Sequence, residues 1–154
     1  MRRQTSEYVS KFLGKHKVEK VLEVGSRDVN GSIRCLFEDI TYLGVDMIKG
    51  PNVDIVVNGH NLRTVFDPDY FDAVFCFDTF EHDDAFWLTL EQMKAVLKPG
   101  GWLVLGFPGR NCPEHDHPHD YWRFMPQCAS VMMKDMKKIS TEADENNVFC
   151  CGQK

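Results

Sequence analysis

Apolar residues recur along the chain in two rhythms, and the switching between them predicts an α/β fold. Between Gln4 and Lys15, Tyr8, Val9, Phe12 and Leu13 fall at helical spacing and Gly14 marks the end, so a short amphipathic helix is expected there. Val18 to Val24 is a β-branched and apolar run broken by Gly25, a first strand entering a loop. The loop Ser26 to Gly31 leads into a short helix over Ser32 to Phe37. Thr41 to Val45, stopped at Asp46, and Val53 to Val57, stopped at Asn58-Gly59, are the next two strands, and Asp72 to Phe77 is a fourth. Phe86, Leu90, Met93 and Leu97 then mark one helical stripe, which Pro99-Gly100-Gly101 ends before a fifth strand at Trp102 to Phe107. Pro126 is placed to begin a helix holding Val131 and Met132. The tail, Lys137 to Gly152, reads as an antiparallel hairpin turning at Glu145-Asn146-Asn147. Strands that alternate with helices imply a parallel sheet covered on both faces.

Composition narrows the class. At 154 residues with 43% hydrophobic content, the chain is long enough for one core and too short for two ordinary domains, so one domain over residues 1–154 is expected. The net charge of -5 gives no basic footprint for a phosphate backbone and argues against a nucleic-acid partner. Cys35, Cys76, Cys112, Cys128, Cys150 and Cys151 contain no C-x-x-C pair and read as buried free thiols. Arg2-Arg3 is followed by polar residues rather than an apolar run, and no apolar stretch approaches membrane-spanning length. A cytoplasmic protein without a membrane partner, monomeric or homodimeric, is the expectation.

The chemistry concentrates where strands end. Glu23-Val24-Gly25-Ser26-Arg27-Asp28-Val29-Asn30-Gly31 is a strand followed by a loop with glycines at both ends, which lets the backbone approach a ligand closely. Asp46 ends the next strand, where a carboxylate can accept hydrogen bonds from both hydroxyls of a ribose. These segments resemble motif I and the following acidic strand end of class I S-adenosylmethionine (SAM)-dependent methyltransferases of the type 11-like kind. The usual middle glycine is replaced by Arg27, which argues against a dinucleotide pyrophosphate and for SAM, which carries none. Asn58-Gly59-His60-Asn61-Leu62 resembles the family's adenine-reading segment, with Asn58 where the family often has Asp. Phe71 to His82 resembles motif IV and its loop, and Leu97-Lys98-Pro99-Gly100-Gly101 matches the turn before strand five. The resemblance implies a Rossmann-like, doubly wound, mostly parallel seven-stranded sheet with an antiparallel C-terminal hairpin and helices on both faces. It implies SAM as cofactor, held by Glu23, Gly25, Ser26, Arg27, Gly31, Asp46, Met47, Asn58, Gly59, Phe77 and Asp78.

Two segments bear on the transfer step. Asp78-x-x-Glu81-His82 resembles the E-x-x-E-H cluster that holds a divalent metal in ubiquinone-pathway and small-RNA 2′-O-methyltransferases. The loop Pro113 to Phe124 carries His115, His117 and His119, and the resemblance implies that His115 or His117 could complete such a site. Asp78, Glu81, His82 and His117 are therefore the metal candidates, with magnesium or manganese favoured over a structural zinc. A general-base role falls to His82, His115, His117 or His119, whose ordinary pKa lies near neutrality. Arg123, set among Tyr121, Trp122 and Phe124, is a candidate grip on an acceptor carboxylate, phosphate or sugar hydroxyl. With His82, His117 and Arg123 as catalytic candidates, the sequence predicts methyl transfer to a small-molecule or glycan acceptor, at oxygen. The alternatives are a metal-dependent RNA 2′-O-methyltransferase, a nicotinamide-dependent oxidoreductase and a SAM-binding module without catalysis.

Overall fold

The structure, a computed structural model, describes residues 3–115 and 119–154. A first helix, α1 (Arg3–Leu13), precedes three parallel strands, β1 (Lys20–Val24), β2 (Thr41–Asp46) and β3 (Ile55–Val56). After these come β4 (Phe71–Phe77), α2 (Phe86–Val96), β5 (Leu97–Pro108), α3 (Cys128–Met132) and the hairpin β6 (Lys137–Ala143) and β7 (Asn147–Gln153). The described strands form one seven-stranded sheet in the order β3-β2-β1-β4-β5-β7-β6. The first five run parallel, and β7 lies antiparallel between β5 and β6, as the expected C-terminal hairpin requires.

Burial of both faces explains the nearly continuous apolar strands. On one face, Tyr8, Val9 and Phe12 of α1 pack with Val21, Phe75, Val104 and Phe149, and Ile33 and Phe37 close the same layer. On the other, Leu90 and Met93 of α2 and Met132 and Met133 cover Leu22, Val74, Leu103 and Cys150. Cys76, Cys150 and Cys151 are buried free thiols as expected, whereas Cys35 is exposed and Cys112 and Cys128 are half-buried.

The structure departs from the sequence expectations at short elements. Ser32 to Phe37 forms one 3-10 turn, Arg34–Leu36, instead of an α-helix. Six residues cannot repay helix nucleation, and two anchors, Ile33 and Phe37, suffice to pin the segment. β3 is only Ile55–Val56, because Asn52 sits at φ 65° and Val53 still donates to Gly50 in a turn. Leu97 is not the last residue of the helical stripe but the first of β5, paired with Phe71 across a register shift. In α3, Met132 is buried and Val131 is 71% exposed.

The parallel order reverses at β1 and β4, so the crevice between their carboxyl ends is the topological switch point where doubly wound sheets hold ligands.

Candidate functional site

A cavity of about 490 Å³ opens at that switch point. All eleven residues expected around a cofactor line it: Glu23, Gly25, Ser26, Arg27, Gly31, Asp46, Met47, Asn58, Gly59, Phe77 and Asp78. They arrive from four strand tips. Parallel pairing sets β1 directly beside β2 and β4, so the loops leaving those strands must meet.

The first loop is held by backbone. Gly25 and Ser26 both donate to the carbonyl of Val45, at 2.9 and 3.0 Å, and Asp28 N donates to Pro51 O at 3.0 Å. The Asp28 carboxylate accepts from Gly31 N at 2.5 Å, closing the loop on itself. Gly25 has φ 78°, and a Cβ there would collide with the Thr79 side chain, which donates to Phe77 O at 2.8 Å. Glycine is thus required twice at this position, by dihedral and by space.

The Asp46 carboxylate faces the loop, accepting Arg27 N at 3.3 Å and Ile48 N at 2.9 Å. Those bonds fix its plane and leave each oxygen a further lone pair for a hydroxyl donor. The Asn58 amide oxygen accepts His60 N at 2.8 Å and so caps the 3-10 turn Gly59–Thr64. Glu23 is nearly fully buried and accepts the Tyr42 hydroxyl. Burial pushes its carboxyl up to about 8, against the pull of Arg34, so the acid is neutral near pH 7 until a cation approaches.

The opposite wall holds the candidate chemistry. His82 follows β4 in a 3-10 turn, Phe80–His82, with Glu81 wholly buried beside it. The loop after β5 is stitched onto that turn by three bonds. Tyr121 N donates to Glu81 O at 2.7 Å, Trp122 Nε1 donates to Asp83 O at 2.9 Å, and His82 Nδ1 lies 2.5 Å from His119 O. A carbonyl only accepts, which assigns a proton to His82 Nδ1. His115 Nε2 stands 3.7 Å and His82 Nε2 3.8 Å from the same Glu81 oxygen. Among the described residues, Glu81, His82 and His115 are the group of three that could hold a metal ion. Asp78, a sequence-level metal candidate, lines the cavity at φ 46° outside that trio, and His117 lies outside the described residues.

Arg123 is not brought to the cavity. Its guanidinium is taken up by both oxygens of Asp120 and by the carbonyls of Cys112, Pro113 and Trp122. Bonding to Arg123 holds the Asp120 carboxyl well below the usual carboxylate range, and Asp120 in turn accepts His115 N at 2.8 Å. Arg123 therefore braces the histidine loop.

Sequence reasoning missed several lining residues. His60 Nε2 is 2.9 Å from Asp83, whose other oxygen accepts Thr89 at 2.6 Å. The sequence places His60 in the segment after β3 and gives Asp83 no role, and their separation of 23 residues carries no local signal. Thr5 of α1, Val29 and Ile48 also reach the cavity without having been singled out, and the base candidate His119 lines it together with Tyr121.

The chain matches a family model described as a methyltransferase domain over residues 1–144. No curated protein sequence matches it. Among solved structures, a SAM-dependent methyltransferase from Archaeoglobus fulgidus superposes with TM-score 0.75 at 12% identity, over 97% of this chain and 94% of that one. The 1,6-didemethyltoxoflavin-N1-methyltransferase of Burkholderia thailandensis, solved with S-adenosylhomocysteine, matches with TM-score 0.75 at 15% identity, over 99% and 77%. A possible histamine N-methyltransferase from Thermotoga maritima gives TM-score 0.72 at 16% identity, over 97% and 88%. No helix among the described residues is long and apolar enough to cross a membrane. The chain belongs to the methyltransferase domain family, with the fold of the class I SAM-dependent methyltransferases.

Proposed function

We propose that this methyltransferase moves the methyl group of SAM to an oxygen atom of a small-molecule or glycan acceptor. The observation that carries the reading is the polarity of one cavity. At one end are the strand-tip groups suited to an adenosyl sulfonium compound, Glu23, Gly25, Asp46 and Asn58; at the other is an imidazole, His82, held through Nδ1 by the carbonyl of His119. Asp46 takes the ribose hydroxyls, Asn58 and Gly59 border the adenine, and Glu23 with the Gly25 loop faces the methionine part.

Methyl transfer to a neutral hydroxyl leaves a proton to dispose of, whereas transfer to a free amine lone pair does not require one to leave first. In the proposed step the acceptor oxygen attacks the methyl carbon, the carbon–sulfur bond breaks onto sulfur, and the hydroxyl proton passes to His82 Nε2. The products are the methyl ether, S-adenosylhomocysteine and an imidazolium stabilised by buried Glu81. The rest of the acceleration comes from holding acceptor oxygen, methyl and sulfur in line. The acidic net charge supports a small or neutral acceptor over a polynucleotide.

The test is transfer of labelled methyl from SAM to a panel of phenols, sugars and hydroxy acids, matched against amines of the same skeleton. The reading expects hydroxyl acceptors to be methylated and His82→Ala to lower kcat by about 10²-fold or more at neutral pH, the scale of general-base catalysis. Amines methylated in preference, with His82→Ala indifferent, would reject oxygen as the target.

A further inference from the structure

We infer that Tyr121 and Asp84 form a subsite for one neutral sugar ring of the acceptor, in which the phenol ring carries the C–H face of a pyranose and the carboxylate accepts from its hydroxyls. The inference rests on the reading above for the position of the acceptor, and it narrows that acceptor from any small molecule to a sugar without an anionic group.

The backbone of the Tyr121 segment is fixed while the Tyr121 ring is uncovered. Tyr121 N donates to Glu81 O at 2.7 Å, and the next residue is pinned too, with Trp122 Nε1 on Asp83 O at 2.9 Å and its indole edge-on to Phe86 at 5.8 Å and 76°. Tyr121 nevertheless lines the cavity and is 46% exposed. Its one ring neighbour among the described residues is His119, tilted by 41° at 5.6 Å rather than stacked, and its hydroxyl has no hydrogen-bond partner among them. An aromatic side chain on a fixed backbone has few torsions left to order when a ligand lies on it, and it offers a large apolar face.

Asp84 supplies the second, independent observation. Neighbouring Asp83 spends both carboxylate oxygens inside the protein, on His60, Ala85 N and Thr89. Asp84 lines the same cavity, yet its carboxylate makes no hydrogen bond or ion pair with any described residue. An ionised carboxylate is a pure acceptor with room for donors on both oxygens, so it suits a pair of neighbouring hydroxyls.

The two groups together discriminate among hydroxyl compounds. A pyranose has an apolar C–H face to lay on the Tyr121 ring and hydroxyl donors around its edge for Asp84. A flat phenol would use the ring and leave the carboxylate unused, whereas an open-chain hydroxy acid would use the carboxylate and leave the ring bare. Charge adds a third requirement. Asp46, Asp78, Asp83 and Asp84 line the cavity, against Arg27 as the single lysine or arginine among the described lining residues. A carboxylate or phosphate on the acceptor would stand against that negative wall, and like charges brought together select against the wrong partner. Neutral pyranosides are therefore favoured over uronic acids and sugar phosphates.

The experiment measures, by ligand-observed NMR, the binding of the methyl glycopyranosides of glucose, galactose and mannose, of glucuronic acid and of phenol to the full chain saturated with S-adenosylhomocysteine. Wild type is compared with Tyr121→Ala, Tyr121→Phe, Asp84→Ala and Tyr70→Ala, the last at an exposed tyrosine that lies on Lys20 just ahead of β4. At least one neutral pyranoside should bind wild type, about tenfold or more weakly in Tyr121→Ala and in Asp84→Ala, the scale of a lost aromatic face or of a lost bond to a charged group. Tyr121→Phe and Tyr70→Ala should stay within about twofold of wild type, because stacking needs the ring and not its hydroxyl. Glucuronic acid should bind more weakly than methyl glucopyranoside. An unchanged thermal shift by S-adenosylhomocysteine shows that each variant is folded with its cofactor end intact. Should Tyr121→Ala lose that shift, Tyr121→Leu, which stays apolar without a ring, takes its place. Failure of every neutral pyranoside to bind wild type, equal binding by wild type and the ringless variant, or preference for phenol with Asp84→Ala indifferent, overturns the inference. Pyranoside binding that is weakened in both variants, with labelled methyl delivered to the nitrogen of an amino sugar instead of a hydroxyl, would sustain it while rejecting oxygen as the target.

Discussion

The two ends of the cavity are built by different means. The end formed by β1, β2 and β3 is held by the sheet: Gly25 and Ser26 donate to Val45, Arg27 and Ile48 donate to Asp46, and strand register leaves these groups no freedom. The histidine end is held largely by side-chain bonds from a loop outside the sheet. Residues 119–122 are tied to the turn after β4 through Trp122 Nε1, Tyr121 N and the His82–His119 contact, and the Arg123–Asp120 clamp holds the loop to itself. Under the function proposed above this is a division of labour, with cofactor geometry set by the fold and acceptor geometry left to a loop that can change without disturbing the core.

Substitutions should separate the two ends. The largest effect is expected at the sheet-held end, from Gly25→Val. A β-branched residue at φ 78° that also meets Thr79 should abolish S-adenosylhomocysteine binding and lower the melting temperature, measured by calorimetry and thermal unfolding. A variant that binds normally would show that the first loop does not shape the cofactor site.

Removal of the loop clamp should act on transfer alone. Arg123→Ala is expected to cut kcat about tenfold or more, the scale at which a misplaced group loses orientation, while the S-adenosylhomocysteine Kd stays within about twofold. Equal losses in both parameters would mean that the ends are mechanically coupled and the division drawn above is wrong.

The smallest effect concerns pH. The folded-state pKa of Glu23, raised to about 8 by burial, exceeds its unfolded value near 4.5, so the native state retains a proton over the interval between them that the unfolded chain has lost. Stability of the ligand-free protein should therefore fall as pH rises from about 4.5 to 8. Glu23→Gln should flatten that slope by a few degrees of melting temperature. The same proton is lost when a cationic ligand approaches the carboxylate, so SAM affinity should rise with pH across the window. An unchanged slope in Glu23→Gln would assign the pH dependence to other groups.

The sheet-held end was legible in the sequence because it is local. Glu23 and Gly25, Asp46, Asn58 and Asp78 each sit at the tip of an apolar run, and parallel strands must bring their carboxyl ends to one edge. The loop-held end was not legible in the same way. His60 and Asp83 meet through tertiary packing of separate 3-10 turns, and no period or spacing announces it. Arg123 read as an acceptor grip because aromatics surround it; its true partner, Asp120, lies only three residues upstream and competes for the guanidinium first. The early start of β5 at Leu97 shows the same limit, since backbone pairing with Phe71 of β4 decided it.

The most direct measurement is calorimetric titration of S-adenosylhomocysteine into the wild-type chain and into Asp46→Ala. The account predicts one site in the wild type and an affinity about 10²- to 10⁴-fold lower in the variant, from the loss of two hydrogen bonds to a charged group at about 1.5–3 kcal/mol each. Absence of binding to the wild type, or equal affinities in the two, would contradict it.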